Sequence, residues 1–299
     1  MQAGGRGFES HRLHNMTDVV LLLSCHDRPG IVAGVTGWVT KVGGNITDAQ
    51  QHTDFHDGSF FQRVRFTPPA DAELEDLAED FASVAAEHGL TYRFCTLPHR
   101  PRTAILVSKQ LHCLTDVLGR VRLDDLPLDI RLVISNHEEA RGITTMFGHR
   151  FEYVPVTEVR DGRALQERRV SSLLDPESID LVLLARYMMV LPQHIVEPWF
   201  GRMINIHHSF LPSFIGANPY RQAHDRGVKV IGATAHYVSA ALDEGPIIAQ
   251  DVVQVSHRDD VTALTRRGRD LETVVLARAI RAHLEHRVLV FGNRTVVFD

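Results

Sequence analysis

Residues 179–186 read IDLVLLAR, an apolar run that only Asp180 and Arg186 interrupt. A strand with one solvated face alternates apolar and polar side chains. A run that is apolar at both parities has to be covered on both faces. A sheet covered twice is the centre of a layered α/β fold, with helices on either side. The neighbouring sequence supplies those layers. TAILVSK, LDIRLVISN, FEYVPV and IDLVLLAR read as strands, separated by helical stretches in HCLTDVLGRVRLD, HEEARGITTMFG and RALQERRVSSLL. MINIHHS, KVIGATAHYV and GPIIAQDVVQV add strands, a long helix spans about 260–285, and VLVF-GN-RTVVF closes as a hairpin. The expectation for 103–299 is a doubly wound, mostly parallel, Rossmann-like α/β domain.

The first hundred residues have another rhythm. DVVLLLSC is a strand, after which Asp27 is placed to cap a helix holding Pro29 in its first turn. Ile31, Val35, Trp38 and Val39 share the apolar face of that helix, and Gly43-Gly44 can stop it. NITDAQQHTD and SFFQRVRFTP form two strands around His56-Asp57-Gly58. A helix with Leu74, Leu77, Phe81 and Val84 inward and the strand LTYRFCTL complete the unit. The order βαββαβ predicts a ferredoxin-like domain over 17–97, with PHRPR, 98–102, as linker. Residues 1–16 show neither apolar periodicity nor a signal-peptide core, and are expected to be a disordered leader with Met16 a candidate start.

Composition narrows the partners. A net charge of −5 argues against nucleic acid, and no run of eighteen apolar residues suggests a membrane span. Three scattered cysteines and no CxxC or HExxH among eighteen histidines point to a reducing, cytoplasmic setting and no metal.

MINIHHSFLPSFIGANPY, residues 203–220, carries the chemistry. Alternation puts Asn205, His207 and Ser209 on one face and Ile204, Ile206 and His208 on the other. They lie near the carboxyl end of a parallel strand, where open α/β sheets bind ligands. LDEGPII, 242–248, offers Asp243 in a glycine turn at the start of the next strand. An amide, an imidazole and a carboxylate suit attack on a carbonyl carbon: two donors for the oxyanion and a proton acceptor. The three must converge within about 10 Å for this to work. Paired histidines 207 and 208 are poor joint metal ligands, because adjacent strand residues face opposite ways. Cys113 is either a nucleophile or a small buried helix residue.

Asn-x-His-x-Ser-x-Leu-Pro at 205–212, with Asp243 downstream, resembles the formyltransferase superfamily. That resemblance implies Asn205, His207 and Asp243 as the catalytic trio, acting on a folate-borne formyl group. DRPGI at the first strand-to-helix turn resembles ACT domains, which implies an amino-acid effector held near Asp27, Gly30 and Asn45 and a homo-oligomer. The ACT reading also admits a plain dimerisation module. Together, 17–299 resembles the formyltetrahydrofolate deformylase family, which implies hydrolysis of 10-formyltetrahydrofolate to tetrahydrofolate and formate in one-carbon metabolism. Arg186 and Met189, in the loop where the pterin would lie, are candidate substrate contacts, with Ser209, Gly216, Tyr220 and His112.

The acceptor is read separately. Phosphoribosylglycinamide formyltransferases, similar in this region, hold a phosphate at a small-residue turn after the first strand. The turn here, SKQLHCL, has Lys109 but no glycine. Methionyl-tRNA formyltransferases add a further domain for tRNA, and here the sequence closes on a hairpin with an acidic balance. Water is the expected acceptor. The alternatives are transfer to an amine, and an amino-acid sensor that only binds folate.

Overall fold

The chain parts after Pro98 into two units. The coordinates are a computed structural model that describes residues 18–157, 159, 161–175, 178–213 and 219–299. The expected leader and Gly216 lie outside the described residues.

The first unit follows the order β1 (Asp18–His26), α1 (Ile31–Lys41), β2 (Asn45–Asp54), β3 (Ser59–Thr67), α2 (Leu74–His88) and β4 (Thr91–Leu97). Its antiparallel sheet has the order β2-β3-β1-β4. Trp38 on α1 anchors the core, 4.8 Å from the Phe81 ring and 6.0 Å from Phe66, and donates to the Asp80 carboxylate. Asp27 is not the helix cap. Gly30 holds the N-cap position at φ 96°, with no side chain capping the helix, and Pro29 lies ahead of it. The left-handed conformation that glycine adopts without strain turns the chain into the helix, so no side-chain cap is required.

The second unit continues with β5 (Arg102–Val107), α3 (His112–Arg122), β6 (Asp129–Ser135), α4 (Ala140–Met146), β7 (Phe151–Tyr153) and α5 (Gly162–Leu173). Then follow β8 (Leu181–Leu184), α6 (Gln193–Val196), β9 (Met203–His207), α7 (Pro219–Asp225), β10 (Val230–Tyr237), β11 (Ile247–Gln254), α8 (Val261–Leu284), β12 (Val288–Phe291) and β13 (Arg294–Val297). The main sheet runs β11-β10-β9-β8-β5-β6-β7. Strands β5 to β9 are parallel; β10 and β11 are antiparallel additions at one edge.

Strand β8 is covered on both faces. Leu181 and Leu183 enter the core formed with α3 and α8, while Val182 and Leu184 enter the core of Val170 and Trp199. The two polar residues that flank it are both ion-paired. Asp180 accepts from Arg102 at 2.7 and 2.9 Å, tying the starts of β8 and β5 together. Those bonds hold its carboxyl down at about 2. Among the described residues no helix is long and apolar enough to cross a membrane.

Candidate active site

Strand β9 brings Asn205 and His207 to the carboxyl edge of the sheet. Met203 joins the Trp199 core while Ile204 and Ile206 enter the α8 core, so odd positions share the face away from α8. Neighbouring β10 places His236 directly opposite Asn205. The turn after β10 delivers Asp243, whose φ of 57° is left-handed. Aspartate tolerates that region better than most residues, and strain of this kind concentrates at functional sites.

These groups line one cavity of about 300 Å³, with loop 186–191 as its other wall. His207 Nδ1 lies 3.3 Å from Asp243 Oδ1, well inside the limit that the sequence reading set. Burial alone would raise the Asp243 carboxyl. The hydrogen bond and charge of His207, with lesser help from His236 and His208, outweigh it and keep the group below the ordinary aspartate value. His207 Nε2 is buried and has no hydrogen-bond partner among the described residues.

His236 escaped the sequence reading. Its Nδ1 faces the Tyr237 carbonyl at 2.9 Å, which can only accept, so Nδ1 carries the proton. Nε2 is then the acceptor for the Asn205 amide at 3.1 Å. Burial lowers the His236 pKa and keeps the ring neutral. One imidazole therefore fixes which way the Asn205 amide points, leaving its second N–H for the cavity. The available signal was a lone polar ring at the end of an apolar strand facing Asn205.

The remaining expectations divide. Arg186 and Met189 line the trio's cavity. Ser209 does not: β9 ends at His207, alternation stops there, and Ser209 Oγ donates to the Ser213 carbonyl beside a second cavity of about 190 Å³. For the same reason His208 shares the first cavity with His207 instead of facing away, their rings 5.0 Å apart. Tyr220 belongs to α7 and donates to Glu272 on α8. His112 Nε2 meets the same carboxylate at 2.8 Å and lines a separate recess. Asp27 and Gly30 lie before α1 and Asn45 beyond it; an 11-residue helix separates them by about 16 Å, so one chain does not gather the three.

Glu272 was also missed. It is fully buried, and His112, Arg186 and Tyr220 surround it. Burial would raise its carboxyl, but the His112 bond, the Arg186 charge and the Tyr220 hydroxyl hold it below the glutamate norm. An acid on the apolar stripe of Gly268, Val275, Leu276 and Ala279 was its sequence signal. His112, Cys113 and Glu272 come within metal-binding reach of one another. They suit a cation poorly, since Arg186 already takes that carboxylate, and burial with Glu272's charge pushes the Cys113 thiol far up. The protonated thiol is no nucleophile either.

Two outcomes follow from this geometry. A Cβ at Gly245 would come 1.8 Å from the Tyr237 carbonyl oxygen, and Tyr237 N–H bonds Pro246 O at 2.9 Å. Gly245→Ala is expected to push the Asp243 turn off β10 and lower turnover about 100-fold, as a shift near 1 Å can. Steady-state kinetics on the folded variant would check it; near-parental turnover would refute it. The second concerns His208, whose pKa is pushed down to about 3 by burial and then by the charges of Arg186 and His207. An unfolded histidine titrates near 6.5, so between these values the unfolded chain binds the extra proton and stability falls as pH falls. The expected slope from this ring is up to about 1.4 kcal/mol per pH unit. Urea unfolding at pH 7.5 and 5 should show a smaller difference in His208→Gln than in the parent.

A donor amide, an imidazole–carboxylate pair and an adjoining apolar-walled cavity thus meet at the edge of a doubly wound sheet, an arrangement suited to attack on a carbonyl carbon. The family description "Formyl transferase" matches residues 101–280, and "ACT domain" matches 19–82. The formyltetrahydrofolate deformylase of Synechocystis sp. is 49% identical over 287 residues, covering 96% of this chain and all of that one. The crystal structure of a formyltetrahydrofolate deformylase from Pseudomonas syringae pv. tomato superposes with a TM-score of 0.90 at 44% identity, covering 96% of each chain. A glycinamide ribonucleotide transformylase from Symbiobacterium toebii shares the second unit, with a TM-score of 0.63 at 31% identity over 68% of this chain and 97% of its own. The chain belongs to the formyltetrahydrofolate deformylase family.

Proposed function

We propose that the chain hydrolyses 10-formyltetrahydrofolate to tetrahydrofolate and formate, with Asn205, His207 and Asp243 as its catalytic residues. The observation that carries this reading is the pairing of His207 with Asp243 at 3.3 Å on the cavity that Asn205 also lines. Asp243 takes a proton from water as the oxygen attacks the formyl carbon. The Asn205 amide and protonated His207 donate to the oxyanion that forms. The carbon–nitrogen bond then breaks, the folate nitrogen takes the proton from Asp243, and formate leaves. No step calls for a metal. Exposed Met188, Val190 and Leu242 at the cavity rim give a flat, aromatic pterin apolar surface to lie on, with Met189 behind them.

Residues 17–97 serve as an ACT regulatory domain, 98–102 as the linker and 103–299 as the catalytic domain. An amino acid is the effector. With Asp27 and Gly30 at one end of α1 and Asn45 at the other, two copies of the chain would have to combine to bring all three to one ligand, which agrees with a homo-oligomer. The setting is cytoplasmic.

The test is purified protein with 10-formyltetrahydrofolate and no amine acceptor. Equimolar tetrahydrofolate and formate are the expected products, and their absence would end the hydrolase reading. Tight binding of an amino acid and of folate without turnover would support the sensor alternative.

A further inference from the structure

Arg186 carries two costs that the trio does not explain. Its φ is 65°, a left-handed conformation that costs a non-glycine residue about 1 kcal/mol. Its side chain is 5% exposed, so a guanidinium has been taken out of water. Val182 and Leu184 enter the core on the face away from α8, and alternation would send residue 186 the same way. The left-handed backbone turns it instead toward α8, where Nε lies 3.3 Å from Glu272 Oε2, and a terminal nitrogen reaches Gln110 Oε1 at 3.4 Å.

The location gives this arrangement meaning. The sheet order β8-β5-β6, with α3 leading one way from β5 and the β8–β9 connection leading the other, makes the β5/β8 junction the topological switch point. Open α/β sheets bind ligands in the crevice there. Here the crevice is stitched shut. Ser108 N–H donates to Arg186 O, Ser108 Oγ accepts from Met188 N–H, and the Arg186 side chain lies between Gln110 and Glu272. Arg186 also lines the trio's cavity, so it stands between the reacting carbon and the place where this architecture would seat a second substrate.

We propose that Arg186, locked by Glu272, is a specificity-determining plug: it fills the co-substrate crevice so that water, and no amine, reaches the formyl carbon. This rests on the deformylase reading above. With the plug removed, an amine nitrogen would take the place of water. It bonds to the formyl carbon, the bond to the folate nitrogen breaks, one amine proton passes to that nitrogen, and the products are a formamide and tetrahydrofolate.

The experiment measures formate and formamide per tetrahydrofolate, a ratio that does not depend on the overall rate. The probes are phosphoribosylglycinamide, the amine named for the transferase relatives, and plain glycinamide. The parent is expected to release one formate per tetrahydrofolate, and excess phosphoribosylglycinamide should neither be formylated nor compete with the folate substrate. Arg186→Gly suits the left-handed backbone and is expected to raise the formamide fraction at least ~10-fold, the scale of a single steric contact. Arg186→Gly/Glu272→Gln removes both buried charges and serves if the single variant is unstable. An active variant with the parent's ratio overturns the plug, as does a parent that formylates or is competitively inhibited by phosphoribosylglycinamide. Should neither variant fold, the parent's competition measurement decides by itself. A parent that releases no formate at all defeats the deformylase reading instead.

Discussion

Asp243→Asn is expected to lower deformylation by ~10²–10⁴-fold, the usual contribution of a positioned acid/base group, while thermal unfolding changes little. Asparagine tolerates the left-handed backbone at φ 57° as aspartate does, so the turn should survive and only the charge is lost. His207→Ala and Asn205→Ala remove one oxyanion donor each and should cost ~10²–10³. In the parent, the carboxylate is held below the ordinary aspartate value, so catalysis that needs it persists on the acid side and fades only as pH falls through that lowered value. Single-turnover rates at saturating folate give the variant losses, and in the parent they should show no acid limb from this carboxylate between about pH 4 and 8. A variant within about tenfold of the parent would remove Asp243 from the mechanism.

Glu272→Ala is expected to destabilise the second unit by ~3–5 kcal/mol, because it strands the buried Arg186 cation and removes the acceptor of Tyr220 and His112. Glu272→Gln should cost less, since an amide oxygen still accepts from the tyrosine. Urea unfolding followed by circular dichroism gives both values. If the alanine variant lost less than 1 kcal/mol, the cluster would not be the tie that its burial indicates. A raised pH would not reproduce the effect: the Glu272 carboxyl is held below the glutamate norm, so its contribution is lost on acidification.

Much of this was legible before any coordinates. IDLVLLAR announced its two covers because a doubly apolar run has no other stable place. Asn205 and His207 stood out because they break an apolar pattern at the end of a strand, and Asp243 because it sits in a glycine turn ahead of the next one. What escaped was set by direction and by long-range partners. Periodicity carries no sign, so nothing in KVIGATAHYV or GPIIAQDVVQV revealed that β10 runs against β9 and β11 against β10. Alternation applied past the last strand residue misplaced His208 and Ser209. At α1 a side-chain cap was inferred where Gly30 met the need through its backbone. His236 and Glu272 acquire meaning only from groups 31 and 86 positions away, Asn205 and Arg186, which no local window contains.

The antiparallel edge has a kinetic corollary. All three side chains proposed as catalytic come from one stretch of chain between 205 and 243, and part of that stretch, β10, has only β11 between it and the rim of the sheet. Rims open by partial unfolding at lower free energy than the middle of a sheet. Catalytic output should therefore vanish at denaturant concentrations where the Leu106 and Leu183 amides near the sheet's middle still resist hydrogen exchange.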